Sequence, residues 1–142
     1  MTIATATQTP GTTPVPERIS FREFWAHYLL HHQHPMTRRL HFLGSAVCLA
    51  GFALSALDRT PWMAIAAVAI GYLCAFGGHW WVERNAPMTF RAPLRAGFCN
   101  WRLFGVECLA LVGVGGGFES ALASAVKQAP HVLAWMQSSA NQ

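Results

Sequence analysis

The stretch Leu40 to Val82, LHFLGSAVCLAGFALSALDRTPWMAIAAVAIGYLCAFGGHWWV, decides the fold. Eighteen residues without a formal charge, Leu40 to Leu57, are followed by Asp58-Arg59 and then by a second uncharged run, Thr60 to Val82. At about 1.5 Å per helical residue, each run is long enough for the roughly 30 Å of a bilayer's hydrocarbon. The connection Asp58-Arg59-Thr60-Pro61 is short and carries a proline that cannot continue the first helix. The two runs therefore read as antiparallel spans joined in a transmembrane hairpin.

Composition agrees. The chain has 142 residues, of which 53% are hydrophobic and only 11% charged, against about 25% charged in ordinary soluble domains. That is too little charge to coat a conventional globule, and it excludes a disordered chain and a coiled coil. A net charge of +4 raises nucleic acid as a partner, but the arginines form no single basic stripe on a soluble scaffold, so nucleic acid is excluded. Cys48, Cys74, Cys99 and Cys108 form no CxxC pair and read as small packing residues.

Working outward from the hairpin, residues 1–16 are rich in Thr, Ala and Pro and read as a disordered tail. Arg18 to Arg39 is aromatic, basic and histidine-rich, with Ile19, Phe21, Phe24, Trp25, Tyr28 and Leu29 at three-to-four spacing. This predicts an interfacial helix with Trp25 and Tyr28 at headgroup depth. On the other side, Leu103 to about Val126 is a third apolar stretch, interrupted by Glu107, Glu119 and the glycines 113, 115, 116 and 117. It reads as a weaker crossing, open to being broken or re-entrant. His131 to Met136 would form a short amphipathic end, and residues 137–142 a tail. The expected architecture is an all-α integral membrane bundle with one domain over residues 17–136.

Arg18, Arg22, Arg38 and Arg39 precede the hairpin and Arg84, Arg91, Arg95 and Arg102 follow it, while the turn carries only Arg59 beside Asp58. The positive-inside rule then puts both open ends at the cytoplasm. His41 lies seventeen residues before the turn and His79 twenty after Arg59, so the two return to one depth. The segment with His27, His31, His32 and His34 sits at that same end, and Glu83 follows His79 by one helical turn. Imidazoles and a carboxylate in one layer suit a first-row metal, as in the non-haem Fe(II) oxygenases. Read singly, each histidine is an ordinary polar or hydrogen-bonded residue; convergence from separate regions is what singles out His41 and His79. Trp80 and Trp81 read as interfacial aromatics, Glu107 as a buried proton site, a metal ligand or a water-facing side chain, and the glycine cluster as a break or close packing rather than a phosphate loop.

Two segments carry a family resemblance. Phe24 to Gly44, FWAHYLLHHQHPMTRRLHFLG, resembles the opening signature of the fungal 2-hydroxy fatty acid dioxygenases and their short bacterial relatives: Tyr-Leu, a histidine three residues on, then Arg-x-Leu-His-Phe and a glycine. Gly71-Tyr72, Gly78 to Phe90 (GHWWVERNAPMTF) and Pro93-Leu94 resemble the second signature, which is matched at His79, Glu83, Asn85 and Pro87. The chain departs from the family pattern at Asn100, where many relatives carry an acid, and at Thr37, where asparagine is frequent. The resemblance implies an Fe(II)-dependent membrane enzyme that uses O2 to shorten a 2-hydroxy fatty acid by one carbon in α-oxidation, with the carboxyl carbon leaving as CO2. It carries over His32, His41 and His79 as iron ligands and Glu83 as a fourth ligand or as the group orienting His79. Arg38, Arg39 or Arg84 would neutralise the substrate acid. The partners implied are the 2-hydroxy acid, O2 and the lipid bilayer, in the cytoplasmic membrane of a bacterium, with homo-oligomerisation left open. Two other classes compete: a proton or metal transporter subunit with a relay of His41, His79, Glu83 and Glu107, and a structural bundle assembling through Gly51, Gly71, Gly77 and Gly78.

Overall fold

The computed structural model describes residues 19–133, and these are helical throughout, without strands. The expected tails, 1–16 and 137–142, and the end of the expected amphipathic segment lie outside the described residues. Helix α1, Phe21–Leu30, opens on a capping box in which the Ser20 hydroxyl accepts from the Glu23 amide and the Glu23 carboxylate accepts from the Ser20 amide. A turn at His31–His34 leads into α2, Pro35–Asp58, capped by the His34 imidazole, whose Nδ1 accepts from the Met36 amide. Arg59 ends α2 in the left-handed region (φ 53°), and Pro61 opens α3, Pro61–Gly77. The hairpin thus turns at the residues whose chemistry predicts it.

At Gly78 the ladder widens, and Gly78–Glu83 forms a π-helical segment that ends on Arg84, again left-handed (φ 54°). A short 3-10 turn, Met88–Phe90, precedes α4, Pro93–Leu111. The third apolar stretch is broken at its glycines: Gly113, Gly115 and Gly117 all take positive φ, and α5, Gly117–Gln128, folds back against α4 and α1. No single third span forms.

Two kinds of packing result. Helices α2 and α3 press together through small residues; a Cβ on Gly44 would lie 2.8 Å from the Gly71 carbonyl oxygen, and one on Gly51 would collide with the Ala67 side chain. Their outer faces carry Leu57, Trp62, Ile65 and Leu73 largely exposed, and only 17% of each apolar window is buried. Both helices are long and apolar enough to cross a membrane. Helix α1 is instead buried nearly all round, joining α4 and α5 in a core that includes Phe24, Leu29, Cys99, Leu103 and Phe118. Trp25 and Tyr28, expected at headgroup depth, are 4% and 2% exposed and belong to that core. Arg102 stacks over the Trp25 ring at 4.4 Å. All four cysteines are free thiols.

Candidate metal centre

Three elements meet at the open end of the hairpin. The turn after α1 supplies His32, the second turn of α2 supplies His41, and the π-helical segment supplies His79; all three are buried. One ring nitrogen from each lies within 4.8 Å of the other two, and the rings meet edge to face with centroids 4.6 to 5.2 Å apart.

Each imidazole is held from behind. Nδ1 of His32 donates to the Tyr28 carbonyl oxygen at 2.6 Å, Nδ1 of His41 to Oδ1 of Asn100 at 2.8 Å, and Nδ1 of His79 to Oδ1 of Asn85 at 2.7 Å. These oxygens can only accept, so each Nδ1 carries the proton and each Nε2 keeps its lone pair. The Nε2 atoms of His32 and His41 are buried with no hydrogen-bond partner. Burial, and then the neighbouring His41 and His79, push His32 well below the usual histidine range, which holds it neutral. Orphaned lone pairs, fixed tautomers and oxygen acceptors behind every ring are what a metal requires. The donor set fits a first-row metal.

Glu83 is not in this group. Its Oε1 accepts from the His34 amide at 2.9 Å, tying the π segment to the start of α2. Asn85 does the orienting expected of Glu83, and it also reaches Nδ1 of His31 with its amide nitrogen at 3.3 Å. The arginines expected at a substrate carboxylate are elsewhere. Arg38 pairs with Glu107 at 3.5 Å, donates to the carbonyls of His32 and Gln33, and lies over the Phe118 ring. Arg39 is exposed in a separate depression with Glu107, and Arg84 is exposed at the helix end. Glu107, engaged with Arg38, takes no part in the histidine cluster. His131 pairs with Glu23, and His27 packs edge-on against His31.

Tyr28 gains a place at the site that the sequence did not assign it, and Asn85 and Asn100, a match and a departure in the family signatures, gain roles as acceptors behind His79 and His41. Tyr28 stacks on His32 with centroids 4.0 Å apart, and its buried hydroxyl has no hydrogen-bond partner. Burial holds its phenol well above the ordinary value, so it stays protonated and can donate.

Fold and site together define a class: a helical protein with a hairpin long and apolar enough to cross a membrane, and a buried histidine trio able to hold a metal at the hairpin's open end. Residues 19–112, about two thirds of the chain, match the model of the 2-hydroxy-palmitic acid dioxygenase Mpo1-like family, and the chain belongs to that family. The match spans α1 to α4 and every residue of the cluster and its supports. No curated protein and no solved structure matches the chain.

Proposed function

We propose that the protein is an integral membrane Fe(II)-dependent dioxygenase that shortens 2-hydroxy fatty acids by one carbon, with its site at the cytoplasmic face. The observation that carries this reading is the convergence of one ring nitrogen from each of three buried histidines, each ring held by an oxygen acceptor behind it. The family's name supplies the substrate class. The arginines at both open ends of the hairpin supply the orientation.

The overall change, R–CH(OH)–COOH + O2 → R–COOH + CO2 + H2O, balances without an external reductant. The hydroxyl carbon gives up three electrons and the carboxyl carbon one, which together match the four that O2 accepts. Iron(II), held by His32, His41 and His79, would supply the redox-active centre and open positions that O2 needs to react with a closed-shell acid. The chain's own part is to present neutral imidazoles in one tautomer and to keep bulk water out. Asn85, Asn100 and the Tyr28 carbonyl do the first, and the burial of His32, His41 and His79 does the second. The Tyr28 ring stacks on His32, and its phenol stays protonated.

The test is anaerobic purification in detergent followed by metal analysis and oxygen uptake. Stoichiometric iron is expected, lost in His32→Ala, His41→Ala and His79→Ala, together with O2 uptake and CO2 release in equal amounts on adding 2-hydroxypalmitic acid. A protein without iron, inert toward 2-hydroxy acids of every chain length, sinks the reading.

A further inference from the structure

We propose that the cleft between α2, α3 and α4 is the seat of a fatty acyl chain, with the Tyr28 hydroxyl as the polar contact for the acid head at its inner end. A cavity of about 220 Å³ begins at His41, His79 and Tyr28 and opens between Phe52, Tyr72 and Trp101, which are 41–46% exposed. Its walls are small residues from three helices, among them Gly44, Gly71, Ala96 and Gly97. From His41 to Phe52 is eleven residues of α2, about 16 Å, and His79 to Val68 is eleven residues back through the π segment into α3. The slot therefore runs along the hairpin from the histidines toward the middle of the apolar spans, the direction in which a fatty acid lies in a bilayer.

Two observations point to a ligand. Gly44 and Gly51 are glycines because a neighbouring helix lies against them, but a Cβ on Gly97 would meet nothing within 4 Å. A glycine inside a helix costs about 0.5–1 kcal/mol relative to alanine; Gly97 and Gly105 of α4 both face open space, and of the two only Gly97 lines the cavity. The space it leaves is the slot. Tyr28 is the second: it is 2% exposed, lines the inner end, and its hydroxyl has no partner in the protein. A buried unpaired hydroxyl is unfavourable, and an oxygen of a bound acid would satisfy it.

The proposal rests on the oxygenase reading only for the identity of the head group. The cavity holds only part of a long chain, and the mouth faces the same apolar surface as the exposed residues of α2 and α3. Branching near the carboxyl end is therefore rejected, while the far end extends into lipid and total length is weakly discriminated.

The test uses the full chain in lipid nanodiscs, stripped of metal, and a 2-hydroxypalmitic acid probe with a mid-chain diazirine. Cross-links are expected on peptides containing Cys48, Val68 or Trp101, competed away by unlabelled 2-hydroxypalmitic acid. Gly97→Leu fills the slot from an open position and improves helix propensity, so labelling should fall at least tenfold with the melting temperature held or raised. Tyr28→Phe should weaken half-saturation about tenfold while the labelled positions stay the same. Labelling spread over the outer faces of α2 and α3, uncompeted and indifferent to Gly97→Leu, overturns the slot even if the protein binds iron and consumes O2. Slot labelling in a protein that takes up no iron keeps the slot and sinks the oxygenase.

Discussion

At the residue scale the site depends on which oxygen stands behind each imidazole. Asn100 accepts from His41 with Oδ1 and anchors itself by donating to the Ser45 hydroxyl at 3.0 Å, so His41 is aimed by a side chain two contacts deep. Asn100→Ala leaves a buried Nδ1–H without an acceptor and lets the ring turn, and metal affinity should fall about 10- to 100-fold. Asn100→Asp keeps the acceptor and adds charge, which makes the imidazole a better donor, so affinity should hold or rise. Competition against a chromogenic chelator reads both; unchanged affinity in Asn100→Ala would remove Asn100 from the centre. The histidines were legible in the sequence because the hairpin brings distant positions to one depth. The role of the asparagines was not, because an amide has no metal-ligand signature and its part depends on which way the side chain points. In the fold the amide oxygen of Asn100 fills the acceptor role behind His41.

At the element scale, charge-free runs and the Asp58–Pro61 turn announce α2 and α3, and three positive-φ glycines break the third stretch where the sequence has its glycine cluster. The π segment left no trace in the sequence, since one residue added to a helical turn changes no composition and only re-aims the side chains beyond it. Aromatic and basic content likewise does not show that α1 is covered by α4 and α5, a matter of tertiary packing. That burial has a consequence in acid. Desolvation lowers His27 to about 3, and desolvation followed by the charge of His79 lowers His31 to about 4, both from about 6.5 in an unfolded chain. The unfolded chain therefore binds more protons below pH 6.5. Stability contributed by these neutral rings is complete above that pH and is lost as pH falls toward 4 and 3, by up to about 1.4 kcal/mol per pH unit for each histidine. In metal-free protein in detergent, the melting temperature should drop steeply between pH 6.5 and 4, and His27→Leu should flatten part of that drop. An equal slope in the variant would mean that α1 is undocked before His27 is protonated.

At the scale of the whole molecule, one protein carries two surfaces of different logic. The α1–α4–α5 layer encloses Phe24, Trp25, Tyr28 and Phe118 in a core while Phe98 of α4 stays exposed, and the hairpin turns Leu57, Ile65 and Leu73 outward. Length and composition alone make α2 and α3 candidates for crossing a membrane, and a single substitution separates lipid from water as their surroundings. Leu73 is 70% exposed, near the middle of the Pro61–Glu83 span, and touches little of the protein. In water Leu73→Lys would be neutral within about 0.5 kcal/mol, as surface substitutions generally are, and would improve solubility. In hydrocarbon a lysine at the centre of a span costs roughly 2.5–3.5 kcal/mol on insertion scales. Leu73→Lys should therefore lower the fraction of chain that resists alkaline extraction from membranes and depress its melting temperature in nanodiscs, whereas Leu73→Phe should do neither. If Leu73→Lys proved stable and detergent-independent, the hairpin would lie in water, and the acyl slot would have to fill from solution rather than from a bilayer.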